Sequence, residues 1–294
     1  MVVGNFPLAG KIAVVTGGGS GISLAFVKLT AKRQDTKVII ADLQLTNEAA
    51  DFLKEARNVV FVRCDVAVWP DLQNLIEVSE KEFGDVPDVY IAGAAVFEPS
   101  WSNFWDDTED ERYRALDINL SHVLKLTRIA IRAVLGRDKP GVVLMISSIG
   151  GLRSSYAPVM YCTAKHALVG FTKGMAVADD AEGVKVVCIC PGLVSSPLWT
   201  AHPEKMEQFS YNESFAITAE TAAEAMATMV ESQEYPGGSV VKVTLAGMER
   251  IQFDDLIQAS SMDAEHARKF LHESNRPVQE KLALERGTNP LKAR

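Results

Sequence analysis

The sequence predicts an α/β fold: one doubly wound parallel sheet of about seven strands, with helices on both faces and a mostly helical C-terminal tail. Three observations carry this. Short apolar runs alternate with longer amphipathic segments, the pattern of βαβ units. The apolar runs are continuous rather than alternating, as in strands covered on both faces. No Pro-, Ser- or Gly-rich linker divides the 294 residues, so 1–247 reads as one domain and 248–294 as an extension.

The elements follow in order. Lys11–Thr16 reads as a buried strand that turns through Gly17–Gly21 into a helix reaching about Gln34. Lys37–Ala41 is a second strand, closed by Asp42, and a polar helix follows near Thr46–Arg57. Val59–Arg63, Asp88–Ala92, Val142–Ile146, Val184–Ile189 and Ser239–Thr244 complete the strands. Between them lie helices near Asp71–Phe83, Asp110–Leu135, Pro158–Asp179 and Thr218–Glu231. In the longest, Leu116, Leu120 and Leu124 recur at helical spacing. In the nearly neutral tail, Phe253, Leu256 and Ile257 point to a short docking helix, and Asp263–Glu273 to a second one capped by Asp263.

Bulk properties exclude several roles. A formal net charge of −8 argues against nucleic acid or an anionic membrane as partner. No uncharged apolar stretch reaches the length of a membrane span, and no signal peptide is evident, so a soluble, cytoplasmic protein is expected. Cys64, Cys162, Cys188 and Cys190 lack metal-ligand spacing and read as small buried thiols; no metal site is expected.

The turn after the first strand is Thr16-Gly17-Gly18-Gly19-Ser20-Gly21-Ile22-Ser23. Glycines let the backbone approach a pyrophosphate, and the helix start offers free N–H groups to it. Gly17, Gly19, Ser20, Gly21 and Ile22 are therefore candidate dinucleotide contacts. Asp42 lies 21 residues past Gly21, where a carboxylate accepts hydrogen bonds from a ribose and repels a 2′-phosphate. With no basic residue at Leu43 or Ser20, NAD is expected over NADP. Asp42 alone would serve equally well as a turn or cap residue. Asp65 and Val66, after the third strand, are candidate adenine contacts, although Asp65 by itself reads more readily as a turn former.

Tyr161-Cys162-Thr163-Ala164-Lys165 places a lysine four residues after a tyrosine, on the same helical face. An ammonium there favours phenolate and so turns a poor base into a usable one. Ser148 stands 13 residues before Tyr161 at a strand end, with Ser147 as its rival, and Asn119 lies in the long helix. Together with the glycine turn and Pro191-Gly192 after the sixth strand, these motifs resemble the classical short-chain dehydrogenase/reductase family over about residues 8–247. The later segment YPGGSVVKVTLAG looks more like the family's fungal prostaglandin-dehydrogenase-like branch.

The resemblance implies a Rossmann-type fold and hydride transfer between NAD and a secondary alcohol or its ketone. It casts Tyr161 as acid/base and Lys165 as its electrostatic partner and a ligand of the nicotinamide ribose. Ser148 would hold the substrate oxygen, and Asn119 would anchor a water that relays protons. Pro191, Gly192, Val194 (through its backbone) and Ser196 (through its hydroxyl) would meet the nicotinamide end. It also implies a homodimer or homotetramer, with the helices bearing Asn119 and Tyr161 pairing across subunits. Two alternatives remain: a biosynthetic enzyme of natural-product metabolism using NADP(H), and a non-catalytic dinucleotide-binding protein.

Two positions depart from the family pattern. Ser23 replaces the last glycine of the nucleotide turn, and Ala92-Gly93-Ala94-Ala95 replaces Asn-Asn-Ala-Gly beside the cofactor. Tyr156 lacks a lysine four residues on, and His166 faces away from Tyr161, so both are read as structural. Phe97, Trp101, Phe104 and Trp105 follow the fourth strand. Trp199, His202, Met206, Phe209 and Tyr211 lie in an insert near 195–215, which the family uses as a substrate lid. They point to a sizeable apolar or aromatic substrate. Packing of the loops or of a subunit interface would use the same residues.

Overall fold

The computed structural model describes residues 2–107, 109–253 and 262–288. Among the described residues, ten strands and eleven α-helices succeed one another, with a π-helical turn and two short 3-10 turns between them. The first half runs β1 (Ile12–Thr16), α1 (Gly21–Ala31), β2 (Lys37–Asp42), α2 (Asn47–Glu55), β3 (Val59–Arg63), α3 (Trp69–Phe83), β4 (Val89–Ala92) and a short α4 (Arg114–Leu116). A π-helical turn, Asp117–Ser121, leads into α5 (His122–Gly136), followed by β5 (Gly141–Ile146), α6 (Val159–Gly174), α7 (Val177–Glu182) and β6 (Val184–Pro191). Then come β7 (Val194–Ser195), α8 (Pro197–Thr200), α9 (Pro203–Gln208), β8 (Ile217–Thr218), α10 (Ala219–Glu231), β9 (Val240–Thr244), β10 (Gly247–Arg250) and α11 (Ala264–Ala283).

The main sheet has the order β10-β9-β6-β5-β4-β1-β2-β3 and is parallel except for β10. Its central strands are buried along their whole length because helices cover both faces. One apolar layer includes Phe26 and Met226 from α1 and α10; the other includes Leu75, Leu126 and Leu168 from α3, α5 and α6. The chain leaves β1 toward β2 in one direction and resumes at β4 on the other side of β1. This switch point opens a crevice at the carboxyl ends of β1 and β4, where such folds bind ligands.

The structure differs from the sequence reading at four places. An eighth main-sheet strand, β10, pairs antiparallel with β9, Gly247 opposite Thr244. Its residues are all exposed, so no apolar pattern announces it, and it spans the expected boundary at 247/248. The long helix begins at Arg114, not Asp110, and its π turn inserts a residue. Ala115, Asn119, His122 and Leu126 are therefore the buried positions, while Leu116, Leu120 and Leu124 are half-buried. The helix expected to run to Asp179 breaks after Gly174 and resumes at Val177. In the tail, Asp263 caps α11 by accepting from the N–H groups of Glu265 and His266, but the helix continues through Pro277 to Ala283. Leu256 and Ile257 lie outside the described residues. No helix among the described residues is long and apolar enough to cross a membrane.

Candidate active site

A single crevice of about 580 Å³ runs from Asp42, Asp65 and Val66 past the glycine turn to Ser148, Tyr161 and Trp199. Gly17, Ser20, Gly21, Ile22, Gly93, Lys165, Pro191, Gly192, Val194 and Ser196 also line it. Three candidates stand behind the wall instead: Gly19, Ala92 and Asn119. The structure thus gathers most of the expected residues around one cavity and assigns those three a supporting place.

The turn is shaped for close approach. Gly17 and Gly21 have φ of +69° and +55°, and a Cβ on Gly17 would come within 2.7 Å of the Ala94 backbone. Gly19 donates its N–H to Asp42 Oδ2 at 2.9 Å, and Leu43 donates to Oδ1 at 2.7 Å. Asp42 is therefore a turn former that also lines the crevice. Asp65 is more fully engaged. Ala67 N–H donates to Oδ1 at 3.0 Å, and Arg114 pairs with Oδ2 at 2.5 Å. The Ser196 hydroxyl caps no backbone group of α8, and its Cβ faces Gly21.

The altered segment after β4 has its own support. Thr16 Oγ1 donates to Ile91 O at 3.2 Å, accepts from Gly93 N–H at 3.1 Å and lies 3.3 Å from His122 Nε2. Burial pushes His122 down to about 4, so the ring stays neutral here. This threonine–histidine pair ties β1, β4 and the π turn together at the sheet centre.

At the nicotinamide end, β5 delivers Ser147 and Ser148 on opposite sides. Both serines line the crevice, but Ser147 donates to Lys165 O at 2.9 Å, whereas Ser148 accepts from the Gly150 N–H at 3.1 Å and its hydroxyl favours the ionised form of the Tyr161 phenol. Lys165 is buried, donates from Nζ to Ile146 O at 2.8 Å, and stands 5.4 Å from the Tyr161 ring centre. Asn119 grips Val96 at both backbone groups, accepting from N–H at 2.9 Å and donating to O at 2.8 Å. Tyr156 is 80% exposed and packs on Trp105, and His166 Nδ1 meets Cys162 O; neither approaches the cavity.

One electrostatic expectation is corrected. Burial pushes the Tyr161 phenol up to about 12, against the lowering effect of the Ser148 hydrogen bond. Burial also drives Lys165 down to about 8. Desolvation thus sets the phenol's value in the protein alone, and the lowering influence comes from Ser148 rather than from the lysine.

The aromatic residues divide into two groups. Phe97 packs edge-on against Tyr161 at 4.9 Å and touches Trp199 and Phe209 at 4.9 and 5.0 Å, while Tyr211 stacks on Trp199 at 5.4 Å. Trp101, Phe104 and Trp105 are about half exposed and stand apart from the cavity. Glu98, which the sequence reading passed over, accepts the Tyr161 N–H at 2.9 Å. Its only sequence signal is its place between Phe97 and Pro99, near the start of the aromatic loop.

Residues 11–207 match the short chain dehydrogenase family. This chain belongs to that family. It is therefore an oxidoreductase of alcohol and ketone groups, of a family that works with NAD or NADP. Among relatives of this short-chain dehydrogenase, (+)-borneol dehydrogenase 2 of Salvia officinalis is 30% identical over 203 residues, covering 68% of this chain and 71% of its own. Galactitol 2-dehydrogenase of Agrobacterium fabrum is 28% identical, covering 73% and 83%, and xanthoxin dehydrogenase of Arabidopsis thaliana 30%, covering 67% and 70%. The fold matches that of a short-chain type dehydrogenase/reductase from Mycobacterium marinum, with a TM-score of 0.70, 22% identity, and coverage of 80% of this chain and 94% of that one. The similarities include no support for the fungal prostaglandin-dehydrogenase-like branch.

Proposed function

We propose that this short-chain dehydrogenase is NAD-dependent and interconverts an apolar secondary alcohol and its ketone, with Tyr161 as acid/base. The observation that carries the reading is the meeting of the Ser148 hydroxyl, the Tyr161 phenol and the Phe97 ring at one end of the dinucleotide crevice. The aromatic wall of Phe97 and Trp199 favours an apolar skeleton, and borneol dehydrogenase among the relatives is consistent with that.

Gly17–Ile22 would hold the pyrophosphate of NAD, which when bound would supply a hydride acceptor for the C–H electron pair and a positive charge. The alcohol oxygen is held by Ser148 and Tyr161, and its proton passes to the Tyr161 oxygen as the C–H electron pair leaves. The reverse transfer protonates the oxygen of a ketone. The phenol, high in the protein alone, needs the added positive charge to act as a base near neutral pH. Lys165 holds the ribose side and shares proton exchange with solvent. Because the Asn119 amide is spent on Val96, any relay water there would meet its backbone carbonyl. Asp42 favours NAD by repelling a 2′-phosphate. The half-buried Leu116, Leu120 and Leu124 supply a surface on which a homodimer or homotetramer can pair.

Tyr161→Phe should abolish turnover on secondary alcohols while NAD binding, read by fluorescence titration, persists. Retained turnover would sink the mechanism, and tighter binding of NADP than of NAD would favour a biosynthetic NADP(H) enzyme. A parent protein that binds NAD yet turns over no member of a broad alcohol and ketone panel would point to a binding role.

A further inference from the structure

The insert after β7 carries α8 and α9 over the catalytic end of the crevice, and its aromatic residues rest on Phe97. Its other fastening is polar. Lys205, in α9, donates from Nζ to the carbonyl of Phe97. The next residue, Glu98, turns its carboxylate to the first turn of α6 and accepts the Tyr161 N–H at 2.9 Å. Glu98 holds φ of +37°, a conformation that a non-glycine residue adopts only when its surroundings impose it. Its carboxyl is half-buried. Burial raises it above the usual carboxylate range, while the Tyr161 N–H and the Lys205 charge pull the other way. Burial lowers Lys205, and Glu204 and Glu98 oppose that. The lid's one inward-facing ammonium thus reads both the carbonyl of Phe97 and the charge of Glu98.

We propose that Phe97, Glu98 and Lys205 form a latch that holds the lid closed on substrate and couples its closure to the placing of Tyr161. Glu98 and Lys205 are positioning residues in this arrangement, since neither lines the cavity. The ring of Phe97 touches the catalytic phenol, its carbonyl holds the lid, and its neighbour holds the backbone of Tyr161. Opening the lid withdraws Lys205, removes the charge that favours ionised Glu98, and loosens the start of α6. Closing does the reverse. The coupling rests on Tyr161 being the acid/base, whereas the latch itself does not.

The lid is tested by nicking the full-length protein with chymotrypsin and mapping cuts at Trp199, Phe209 and Tyr211 by mass spectrometry. Lys205→Met should speed these cuts about fivefold, the scale of a charge-assisted hydrogen bond at a partly wet site. Glu98→Gln should speed them less, and Lys205→Arg should restore the parent rate. In turnover, Lys205→Met should chiefly raise KM, and should lower kcat by less than Glu98→Ala does, because it weakens the support that Glu98 gives Tyr161 without removing it. Glu98→Ala should lower kcat as well, and Glu98→Gln, which still accepts the Tyr161 N–H, should recover kcat but not lid closure. Unchanged nicking in both Lys205→Met and Glu98→Gln would overturn the latch. Equal kcat in Glu98→Ala and Glu98→Gln would overturn the coupling. Turnover retained by Tyr161→Phe would instead defeat the catalytic reading and leave the nicking result standing.

Discussion

Ser23 and Gly93 share one space: a Cβ on Gly93 would overlap the Ser23 hydroxyl. Each residue departs from the family pattern, and the missing side chain at Gly93 makes room for the hydroxyl of Ser23. Ser23 sits on α1 and Gly93 follows β4, so the pair fixes how closely the dinucleotide turn approaches the loop of the switch point. Gly93→Ala should destabilise the protein by about 1–3 kcal/mol, the usual cost of overfilling a packed site. Adding Ser23→Gly should recover part of that loss. The remainder stems from Thr16 O, which lies 2.9 Å from the same Cβ position. Thermal unfolding of the two single variants and the double variant measures the coupling; simple additivity would show that the two residues are independent.

The sheet centre should be acid-sensitive through His122. Its folded value lies near 4, below its ordinary 6.5, because burial penalises the charged ring. Below pH 6.5 the unfolded chain binds a proton that the folded chain refuses, so stability falls as pH drops and levels off near pH 4. By pH 5 the loss from this group is about 2 kcal/mol. Replacement by the non-titrating Asn should flatten that part of the denaturant-midpoint curve between pH 7 and pH 5. An unchanged curve would place the acid sensitivity elsewhere.

The strands, the glycine turn and the Tyr161–Lys165 spacing were legible because each is a local pattern: a continuous apolar run, a close backbone approach, a helical repeat. What escaped is not local. The π turn that buries Asn119 and leaves Leu124 half-exposed adds one residue to a helix whose composition is unremarkable. β10 owes its pairing to β9 and carries no apolar signal. The role of Glu98 depends on α6 arriving beside a loop 63 residues away in sequence. The phenol's raised value is likewise a burial effect, which spacing alone does not disclose.

The aromatic wall should set substrate affinity without touching the cofactor. Phe97 is the common partner of Tyr161, Trp199 and Phe209. Phe97→Ala should raise KM for an apolar ketone about tenfold, in keeping with loss of a buried aromatic contact. Trp105→Ala, remote from the cavity, should leave KM unchanged. Steady-state kinetics on one apolar and one small polar ketone separates wall contact from general disruption: the small ketone should be far less affected. Equal losses for both ketones would show that Phe97 acts through Tyr161 alone.

Asp42 combines two jobs that different substitutions separate. Its carboxylate accepts the Gly19 and Leu43 N–H groups, which shapes the turn, and under the proposed NAD dependence its charge would repel a 2′-phosphate. Asp42→Asn retains one carbonyl acceptor and loses the charge, so NADP binding should strengthen relative to NAD while the fold is little altered. Asp42→Ala loses the acceptors too, so NAD affinity should drop about tenfold, the scale of one or two hydrogen bonds to a charged group. Titrating the parent protein and both variants with each cofactor decides between these roles. If the NAD-to-NADP ratio is the same in all three, the charge does not select the cofactor and Asp42 serves the turn alone.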